Sequence, residues 1–457
     1  MNEILNDVQP APPESASVKP VVIYGGPLYN GKGNVFSDGA IYISKGKIIA
    51  VGDEGSVFGQ IPKNADMELY DTGGKIIFPG LINLHHHSYR AFATGLLTSQ
   101  ADSNYQEFLK NFWWKFDKCL DGEMIQLSTL LTVLQSIRSG VTSIFDLHSS
   151  PVCVYNILEN MASVISRAGI RAVLSYEVSE RDGDDIFIRG MEENLNFIQK
   201  YQDNDQIQGM FGLQANSAIS EKSLALITEK LGNKAGIHIH LGSARDTEYC
   251  KNLGYEGSVD RLNAFNLINP KSLLVNGPPL GVEEINKIAA EQATLVTIPE
   301  SLFPRQFDFF SPAGFPGLQI GVGTGGWGSN ILQALRTAYY YHRQTGAENS
   351  QLIDFLKAQL QNNSDFAGRF FKGKPGVLEK NASADIVVFD YVPATPFNTD
   401  NYIHHLLFGM QSVQAAMVMA KGQFLYNDNT FLTLDEEIVI DESRKASRRL
   451  WELFNKL

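Results

Sequence analysis

Short runs of apolar residues alternate with amphipathic stretches through the middle of this 457-residue chain. Eight runs rich in Val, Ile and Leu are each followed by a helix-compatible stretch: LINLHHH, TSIFDLH, RAVLSYEV, GMFGLQA, AGIHIHLG, SLLVNGP, TLVTIPES and LQIGVGTGG. Near-continuous apolar strands that alternate with helices are typical of a parallel sheet, and eight of them are typical of a closed barrel. The pattern therefore predicts an α/β fold, a (β/α)₈ TIM barrel, with its chemistry at the carboxyl ends of the strands.

The two ends of the chain show a β-like pattern instead. Apolar residues alternate around Gly-rich turns from about Pro20 to Lys75, and the pattern returns near the C-terminus in ADIVVFDY and AAMVMAKGQFLYN. Two β-rich pieces at opposite ends of a chain can pair into one small sandwich. We therefore expect four units: a disordered leader (1–18), a β-sandwich domain (19–78 with 376–433), the barrel (79–375) and a C-terminal helix (434–457).

The C-terminal stretch SRKASRRLWELFNKL is basic and amphipathic. Such a helix can lie on a membrane surface, but one short basic helix carries little weight in so acidic a chain. We interpret it as a terminal helix that packs on its own domain through Leu450, Trp451 and Leu457.

Composition excludes several classes of function. Hydrophobic residues make up 44% of the chain, enough for a large core, and the net charge of −12 disfavours a nucleic-acid partner. No membrane span is expected, because no run of about 18 apolar residues occurs. The three cysteines form no CxxC pair and the first residues do not resemble a targeting segment, so we expect a reducing, cytoplasmic location.

The first apolar run ends in three histidines. Side chains alternate along a strand, so His85 and His87 point the same way and His86 points away. If the shared direction is the inside of the barrel, two imidazoles meet at its mouth, which is an arrangement that transition metals favour.

At these residues a family resemblance becomes specific. PGLIN followed by H-x-H resembles the metal-binding signature of the amidohydrolase superfamily. From about Val21 onward the chain is similar to its SsnA-like aminohydrolases, which are related to triazine hydrolases and adenosine-type deaminases, in NFWWKFDKCL, SGVTSIFDLHSSP, LSYEVSERDGDD, HHLLFGM and SRKASRRLWE. The resemblance implies a barrel flanked by a β-sandwich, one divalent metal (zinc first, iron or manganese as alternatives), a small-molecule substrate, and a homodimer or higher homo-oligomer.

The resemblance also implies a third metal ligand on strand five, in the family's H-x-x-E. His240 takes the ligand position, so the predicted metal set is His85, His87 and His240. His238, two residues earlier, is interpreted as a core histidine. Ser243 stands where the family has the Glu that carries protons, and a serine hydroxyl cannot do this near neutral pH without its own base.

Other positions depart from the family's pattern on further strands, and the metal-binding Asp of strand eight is among those replaced. Its loss leaves a metal-free site as the alternative expectation. The substituted positions are Gln214 on strand four, Asn276 on strand six, Thr297 and Ile298 on strand seven, and Gly325 on strand eight. So many changes on separate strands indicate a degenerate active site with a changed role.

Titratable or polar residues at the strand ends are the candidates to replace the lost proton carriers. We assign catalytic candidates to His148, Glu177, Ser243 and Asn276, with Asp146 and Glu300 as weaker candidates. The predicted substrate contacts are Gln214, Thr297 and Trp327.

Two functions remain open. The first is a metal-dependent hydrolase or cyclase for C–N bonds, other than peptide bonds, of a small cyclic amide, ureido or guanidino compound. It includes ring closure to uracil-like rings in natural-product biosynthesis. The alternative is a metal-poor pseudoenzyme that binds a small molecule or an active paralogue. Plain hydrolytic deamination by the family's mechanism ranks last, since its carboxylates are missing.

Overall fold

The computed structural model describes residues 19–96, 105–241, 244–275, 280–300, 315, 317–344 and 346–457. The predicted leader of residues 1–18 lies outside these ranges. The first strands are β1 (Val21–Tyr29), β2 (Val35–Ser44), β3 (Lys47–Asp53), β4 (Glu68–Asp71) and β5 (Ile77–Pro79). Strands β1, β2 and β3 pair antiparallel through Gly-rich turns, as their alternating pattern predicts.

Parallel strands occupy the middle of the chain in two sheets, ordered β6-β7-β8-β9 and β10-β11-β12-β13-β14. They are β6 (Leu81–His86), β7 (Val141–His148), β8 (Arg171–Tyr176), β9 (Ile207–Gly209), β10 (Phe211–Leu213), β11 (Ile237–His240), β12 (Leu273–Val275), β13 (Thr294–Thr297) and β14 (Gln319–Val322). Strands β9 and β10 are one barrel strand interrupted at a single residue. Within the described residues the middle domain therefore has eight barrel strands, one for each predicted apolar run.

Backbone hydrogen bonds join the two sheets on both sides. At the interrupted strand, Met210 N–H donates to Leu174 in one sheet and Phe211 N–H donates to Gly236 in the other, each at 3.0 Å. On the opposite side, Thr324 N–H donates to the His85 carbonyl at 3.0 Å. The prediction of a (β/α)₈ barrel is confirmed.

Helices cover the outside of the barrel. The longer ones are Gly122–Arg138, Ile157–Ala168, Asp184–Tyr201, Glu221–Leu231, Ala244–Asn252, Ser258–Ala264, Val282–Ala290, Ile331–Gln344 and Asn349–Ala367. Shorter helical turns are Glu54–Phe58, Ser88–Ala93, Tyr105–Phe108, Leu109–Trp113, Trp114–Phe116, Asp117–Cys119, Asn216–Ala218, Tyr402–His404 and His405–Gly409.

The helix Gly122–Arg138 shows how the sequence sets such an element. Its N-cap Asp121 accepts from Met124 N–H at 2.8 Å. Gly140 follows its end with a φ of +76°, a left-handed conformation that glycine adopts without strain.

The C-terminal strands are β15 (Ile386–Phe389), β16 (Ala415–Ala420), β17 (Gln423–Asn427) and β18 (Thr430–Phe431). They complete one sheet with the N-terminal strands, in the order β18-β17-β16-β15-β5-β1-β2-β3, while β4 pairs with β1. Side chains from both ends of the chain share one buried cluster, for example Ile41 with Met417. A buried ion pair between Arg171 of the barrel and Asp385 ties this sheet to the barrel. The domain limits themselves stay a prediction.

The last helix, Glu436–Phe454, packs on the helix Gly122–Arg138. Leu450 is buried, and the Trp451 indole N–H donates to the Phe92 carbonyl at 2.7 Å. The prediction was wrong for Leu457, which is 63% exposed, because the helix ends before it. Among the helices of the described residues, none is long and apolar enough to cross a membrane.

Candidate metal centre and active site

Three histidines meet at the mouth of the barrel, from strands that lie far apart in the sequence. His85 belongs to β6 and His87 directly follows it, while His240 is the last residue of β11. Each contributes a ring nitrogen, and these nitrogens lie within 4.8 Å of one another. His85 and His87 are fully buried, and His240 is partly exposed. The structure thus brings the predicted metal set together.

The hydrogen bond on the far side of the His87 ring fixes its tautomer. Its Nδ1 lies 2.5 Å from the Leu147 carbonyl oxygen, which can only accept, so Nδ1 carries the proton. Burial, and then the charge of Arg90, hold the pKa of His87 well below its usual range, so the ring is neutral. Its Nε2 therefore presents a lone pair to His85 and His240, whose Nε2 atoms lie 3.1 and 3.2 Å away.

A chain of hydrogen bonds fixes the tautomer of His85. The Ser175 hydroxyl lies 3.0 Å from the Asp146 carbonyl and donates to it, so its oxygen accepts from His238 Nδ1 at 3.2 Å. Burial lowers the pKa of His238 to about 3, so its Nε2 is free to accept from His85 Nδ1 at 2.7 Å. Burial and the neighbouring His87 also hold the pKa of His85 well below its usual range. His85 Nε2 is consequently unprotonated.

These tautomers leave two lone pairs facing each other. The Nε2 atoms of His85 and His87 lie 3.1 Å apart with no proton between them, which is unfavourable unless a cation lies against both. Zinc–nitrogen bonds of about 2.0–2.1 Å in a tetrahedron put two ligand nitrogens roughly 3.3 Å apart. The three imidazoles therefore fit a divalent cation and leave a coordination position for another ligand.

His240 also lines a cavity of about 450 Å³, a volume typical of small-molecule sites. Of the described residues, those in its wall include basic, acidic and aromatic side chains in equal number. They are Arg90, Lys110, Arg181, Arg245, Asp117, Glu177, Glu180, Asp246, Tyr89, Trp113, Trp114 and Tyr249. Such a wall suits a small polar ligand that both donates and accepts hydrogen bonds.

Glu177 is a carboxyl group that the barrel places in this cavity. On β8 the side chain of Val173 packs inside the barrel, and Ser175 and Glu177 continue that inner face by alternation. Burial raises the pKa of Glu177, although the charges of Arg181 and Arg90 oppose the shift. Among the predicted catalytic residues that the structure describes, Glu177 alone lines the cavity, so a carboxyl able to exchange a proton stands there.

The predicted catalytic His148 lies behind the cavity wall. It is fully buried, and its Nε2 lies 2.9 Å from Ser150 Oγ, whose own hydroxyl donates to the Cys153 carbonyl. Burial lowers the pKa of His148 to about 3, so the ring is neutral. The other two predicted catalytic residues, Ser243 and Asn276, lie outside the described residues.

The predicted substrate contacts fall in different places. Gln214 lines the cavity with Glu177. Thr297 instead accepts a hydrogen bond from Gln359 at 2.8 Å, on the helix side of β13. The ring of Trp327 packs against that of Trp113, with centroids 5.4 Å apart, and Trp327 is not among the cavity-lining residues.

The weaker carboxylate candidates, Asp146 and Glu300, each accept hydrogen bonds from neighbouring residues. Asp146 accepts from the Ser88 N–H at 2.7 Å and from its hydroxyl at 2.6 Å, while burial raises the pKa of the carboxyl to about 7. Glu300 accepts from Gln333 at 2.6 Å, and burial raises its pKa to about 6. Neither belongs to the cavity wall formed by the described residues.

After β14, the eighth barrel strand, an apolar contact lies where the family has its metal-binding Asp. Gly325 has a φ of +68°, and a Cβ added there would lie 2.8 Å from Cγ2 of Ile298. Ile298 is one of the other changed positions, on strand seven. The two departures therefore meet in space: an apolar side chain fills the room that an acidic residue at 325 needs.

Sequence reasoning missed an ion pair in the cavity wall. Asp117 is buried and accepts from Arg181 and from Ser149 Oγ, the latter at 3.0 Å. The Arg181 guanidinium lies 5.3 Å from the ring centre of Trp114. Asp117 lies within the segment NFWWKFDKCL and Arg181 within LSYEVSERDGDD, two of the segments that carried the resemblance, so their opposite charges were the available signal.

Comparison with known proteins agrees with this geometry. The model of the amidohydrolase family matches residues 76–425. The chain belongs to the amidohydrolase family. A 5-methylthioadenosine/S-adenosylhomocysteine deaminase of Pelotomaculum thermopropionicum is 26% identical over 432 residues, covering 92% of this chain and 96% of that protein. A 5'-deoxyadenosine deaminase of Methanosarcina barkeri is 24% identical over 424 residues, covering 90% and 94%.

Solved structures of similar fold include two with bound zinc. An adenosine deaminase from Xanthomonas campestris has a TM-score of 0.77 at 18% identity, covering 94% of this chain and 98% of that chain. An atrazine chlorohydrolase from Arthrobacter aurescens has a TM-score of 0.78 at 19% identity, covering 93% and 100%. The predicted family is confirmed. The prediction of an enzyme for C–N bonds other than peptide bonds is confirmed at the level of this family and its deaminase relatives.

Proposed function

We propose that this amidohydrolase is a divalent-metal enzyme for a C–N bond of a small cyclic amide, ureido or guanidino compound. One observation carries the proposal: the facing Nε2 lone pairs of His85 and His87, 3.1 Å apart beside His240. A divalent ion bound there supplies Lewis acidity to the substrate or to water. Zinc is the first candidate, since two proteins of similar fold bind it, with iron or manganese as alternatives.

Glu177 is proposed as the group that moves the proton. It lines the same cavity as His240, and its raised pKa keeps part of the carboxyl protonated closer to neutral pH than in water. It can therefore accept a proton from an attacking group and return it to a leaving nitrogen. This assignment replaces the family's strand-five Glu, whose position is taken by Ser243.

The cavity favours a small planar substrate that presents polar groups on more than one side. Arg90 and Arg181 offer donors, while Asp117 and Glu177 offer acceptors. The aromatic ring of Trp113 lies 4.2 Å from the Arg90 guanidinium and forms a flat wall. The similar deaminases are named for adenosine-type substrates, which contain a planar polar heterocycle. This similarity supports a heterocyclic substrate here.

The missing carboxylates bear on the direction of the reaction. Hydrolysis and ring closure share a transition state, but strong water activation is a liability in ring closure, including closure to uracil-like rings. Gly325 and Ile298 remove a carboxylate next to the histidines. We therefore include ring closure beside hydrolysis in the proposal.

The first experiment measures metal per chain by elemental mass spectrometry, on protein purified without chelators or affinity metals. About one zinc, iron or manganese per chain is expected, and His240→Ala should remove it. Cyclic ureides and amidines are then screened for ammonia release and for ring opening or closure. Absence of metal after zinc is offered contradicts the proposal.

A second function is supported by the Gly325–Ile298 contact. Among the described residues, His85, His87 and His240 form a metal-ligand cluster without a carboxylate. A pseudoenzyme that binds a small molecule or an active paralogue needs no such group. Co-purification of metal-free chain with a homologous active subunit would support it.

Assembly and location are proposed on the family's pattern. We expect a homodimer or higher homo-oligomer in the cytoplasm, acting on a small molecule without nucleic acid or membrane. Light scattering on the purified chain tests the assembly, and cell fractionation tests the location.

A further inference from the structure

A fourth buried histidine lies directly behind the metal-ligand set. His238 is two residues before His240 on β11 and faces the same side of the strand. It is 1% exposed, and its ring meets that of His85 edge to face, with centroids 4.9 Å apart. Sequence analysis assigned it to the core, yet both its ring nitrogens make hydrogen bonds toward functional neighbours.

In this chain of hydrogen bonds, each group donates to the next, from His85 through His238 and Ser175 to the Asp146 carbonyl. The Asp146 carbonyl can only accept, so it orients the Ser175 hydroxyl; the hydroxyl oxygen then accepts from His238, and His238 accepts from His85. Reversing the last bond would protonate His85 Nε2 and destroy its ability to bind a cation. Three barrel strands, β7, β8 and β11, thus set the protonation of one atom on β6.

We propose that Ser175 and His238 form a relay that holds His85 in the Nδ1–H tautomer, with its Nε2 ready for the metal. His238 and Ser175 are positioning residues, since the relay reaches the centre only through His85. The inference rests on the proposed metal site but concerns a property that the metal-free chain also has.

The tautomers of His85 and His87 depend on different kinds of hydrogen-bond acceptor. A backbone carbonyl, that of Leu147, fixes His87 at 2.5 Å, and no side-chain substitution can remove that acceptor. The corresponding acceptor for His85 is a neutral imidazole whose own tautomer depends on a single serine hydroxyl. Ser175 is therefore the point at which the metal set is most easily disturbed without touching a ligand.

The test uses Ser175→Ala in the full-length chain. Without the hydroxyl, His238 Nδ1–H loses its acceptor, and the ring gains by moving the proton to Nε2, which then donates to His85. Loss of an outer partner of a metal-ligating histidine costs about 10- to 100-fold in metal affinity. We expect zinc affinity, measured by chelator competition, to fall by that factor, and Ser175→Thr to restore it.

Ser143→Ala is the matched control. Ser143 is fully buried on the neighbouring strand β7, and its hydroxyl has no hydrogen-bond partner among the described residues. The substitution removes the same atom from the adjacent strand, where Ser143 pairs with Arg171, four residues before Ser175, and it leaves the relay intact. Equal loss of affinity in both alanine variants would overturn the proposal, as would unchanged affinity in Ser175→Ala. Circular dichroism checks that each variant folds.

A second measurement separates this inference from the proposed function. The chain has nine histidines, so ¹⁵N-histidine labelling gives a sparse imidazole spectrum, which single-histidine variants assign. In metal-free protein we expect His85 as the Nδ1–H tautomer, shifting toward Nε2–H in Ser175→Ala. If the wild type shows that tautomer and that shift but takes up no zinc, the proposed function fails and the relay stands. An Nε2–H tautomer of His85 in metal-free wild type overturns the relay, whether or not zinc binds.

Discussion

The two sides of the barrel mouth have different chemistry. On the side of β6 and β11, His85 and His87 are buried and neutral, and each ring is held by a hydrogen bond on the side away from the other ligands. On the side of β13 and β14, Ile298 packs against Gly325, and a glycine with positive φ stands in place of an acid. Hydrogen bonds fix the rings on the first side, whereas the contact on the second side is apolar and contains no titratable group.

This difference separates binding from proton transfer. Hydrogen-bonded imidazoles are sufficient to hold a cation, and their outer partners tune it. Acid–base catalysis needs a group that titrates. The cavity holds such a group at Glu177, directly after β8, whereas Gly325 stands after β14, the eighth barrel strand. On the function proposed above, the chain keeps the metal ligands of an amidohydrolase site and uses Glu177 for proton transfer.

The largest effect is expected from His85→Ala combined with His87→Ala. Removal of two ligands should lower metal affinity by more than the roughly 100-fold that loss of an outer partner can cost, so metal per chain falls from about one to background. The chain should still fold, because the large core does not depend on these rings. Elemental analysis and circular dichroism measure both outcomes.

His342→Ala is the control for that double variant. It removes a buried imidazole on the helix Ile331–Gln344, beside Phe355, and should leave the metal in place. Precipitation of the double variant alone would show that the histidines serve folding as much as binding.

Glu177→Gln sharpens the comparison by removing the proposed proton carrier. Loss of general acid–base catalysis costs on the order of 10²- to 10⁴-fold in kcat, while metal content should not change. Since burial raises the pKa of Glu177, wild-type kcat should rise with pH through a value above that of an ordinary glutamate. The variant should lack this acid limb, and an unaltered pH profile would rule out Glu177 as the base.

Asp146→Asn tests how much the buried carboxyl of Asp146, which accepts from Ser88 next to His87, lowers the stability of the fold. The buried carboxyl keeps its proton to a pKa of about 7, whereas an unfolded aspartate loses it near pH 4, so the native state binds more protons in between. Stability should therefore fall as pH rises from about 4 to 7, by up to roughly 4 kcal/mol, and stay level above. Urea unfolding at several pH values measures this slope.

The asparagine variant should flatten that slope, because its amide oxygen can still accept from both Ser88 donors but does not ionise. A slope equal to that of wild type would assign the effect to another buried group.

Periodicity was sufficient for the barrel and for the histidine pair, because strand alternation is local. It could not identify the hydrogen bonds of His238, since its partners His85 and Ser175 come from two other strands. Nor could it locate Thr297, whose contact with Gln359 depends on how a distant helix packs against β13. Residues whose role is set by a non-local neighbour are the ones that sequence reasoning misplaced or missed.

The smallest effect is expected from restoring an acid at Gly325, after β14, the eighth barrel strand. Gly325→Asp brings its Cβ within 2.8 Å of Ile298 Cγ2 at a φ of +68°, so we expect a loss of about 1–3 kcal/mol in the free energy of unfolding. Combining it with Ile298→Ala removes that clash and should recover part of the loss.

Gly328→Asp, where an added Cβ meets nothing within 4 Å, is the matched control and should be nearly neutral. If Gly325→Asp is as well tolerated as this control, the Ile298 contact does not exclude the acid. If the double variant also binds metal more tightly than wild type, the two sides of the mouth are coupled, because the restored carboxylate then adds to the binding by the histidines.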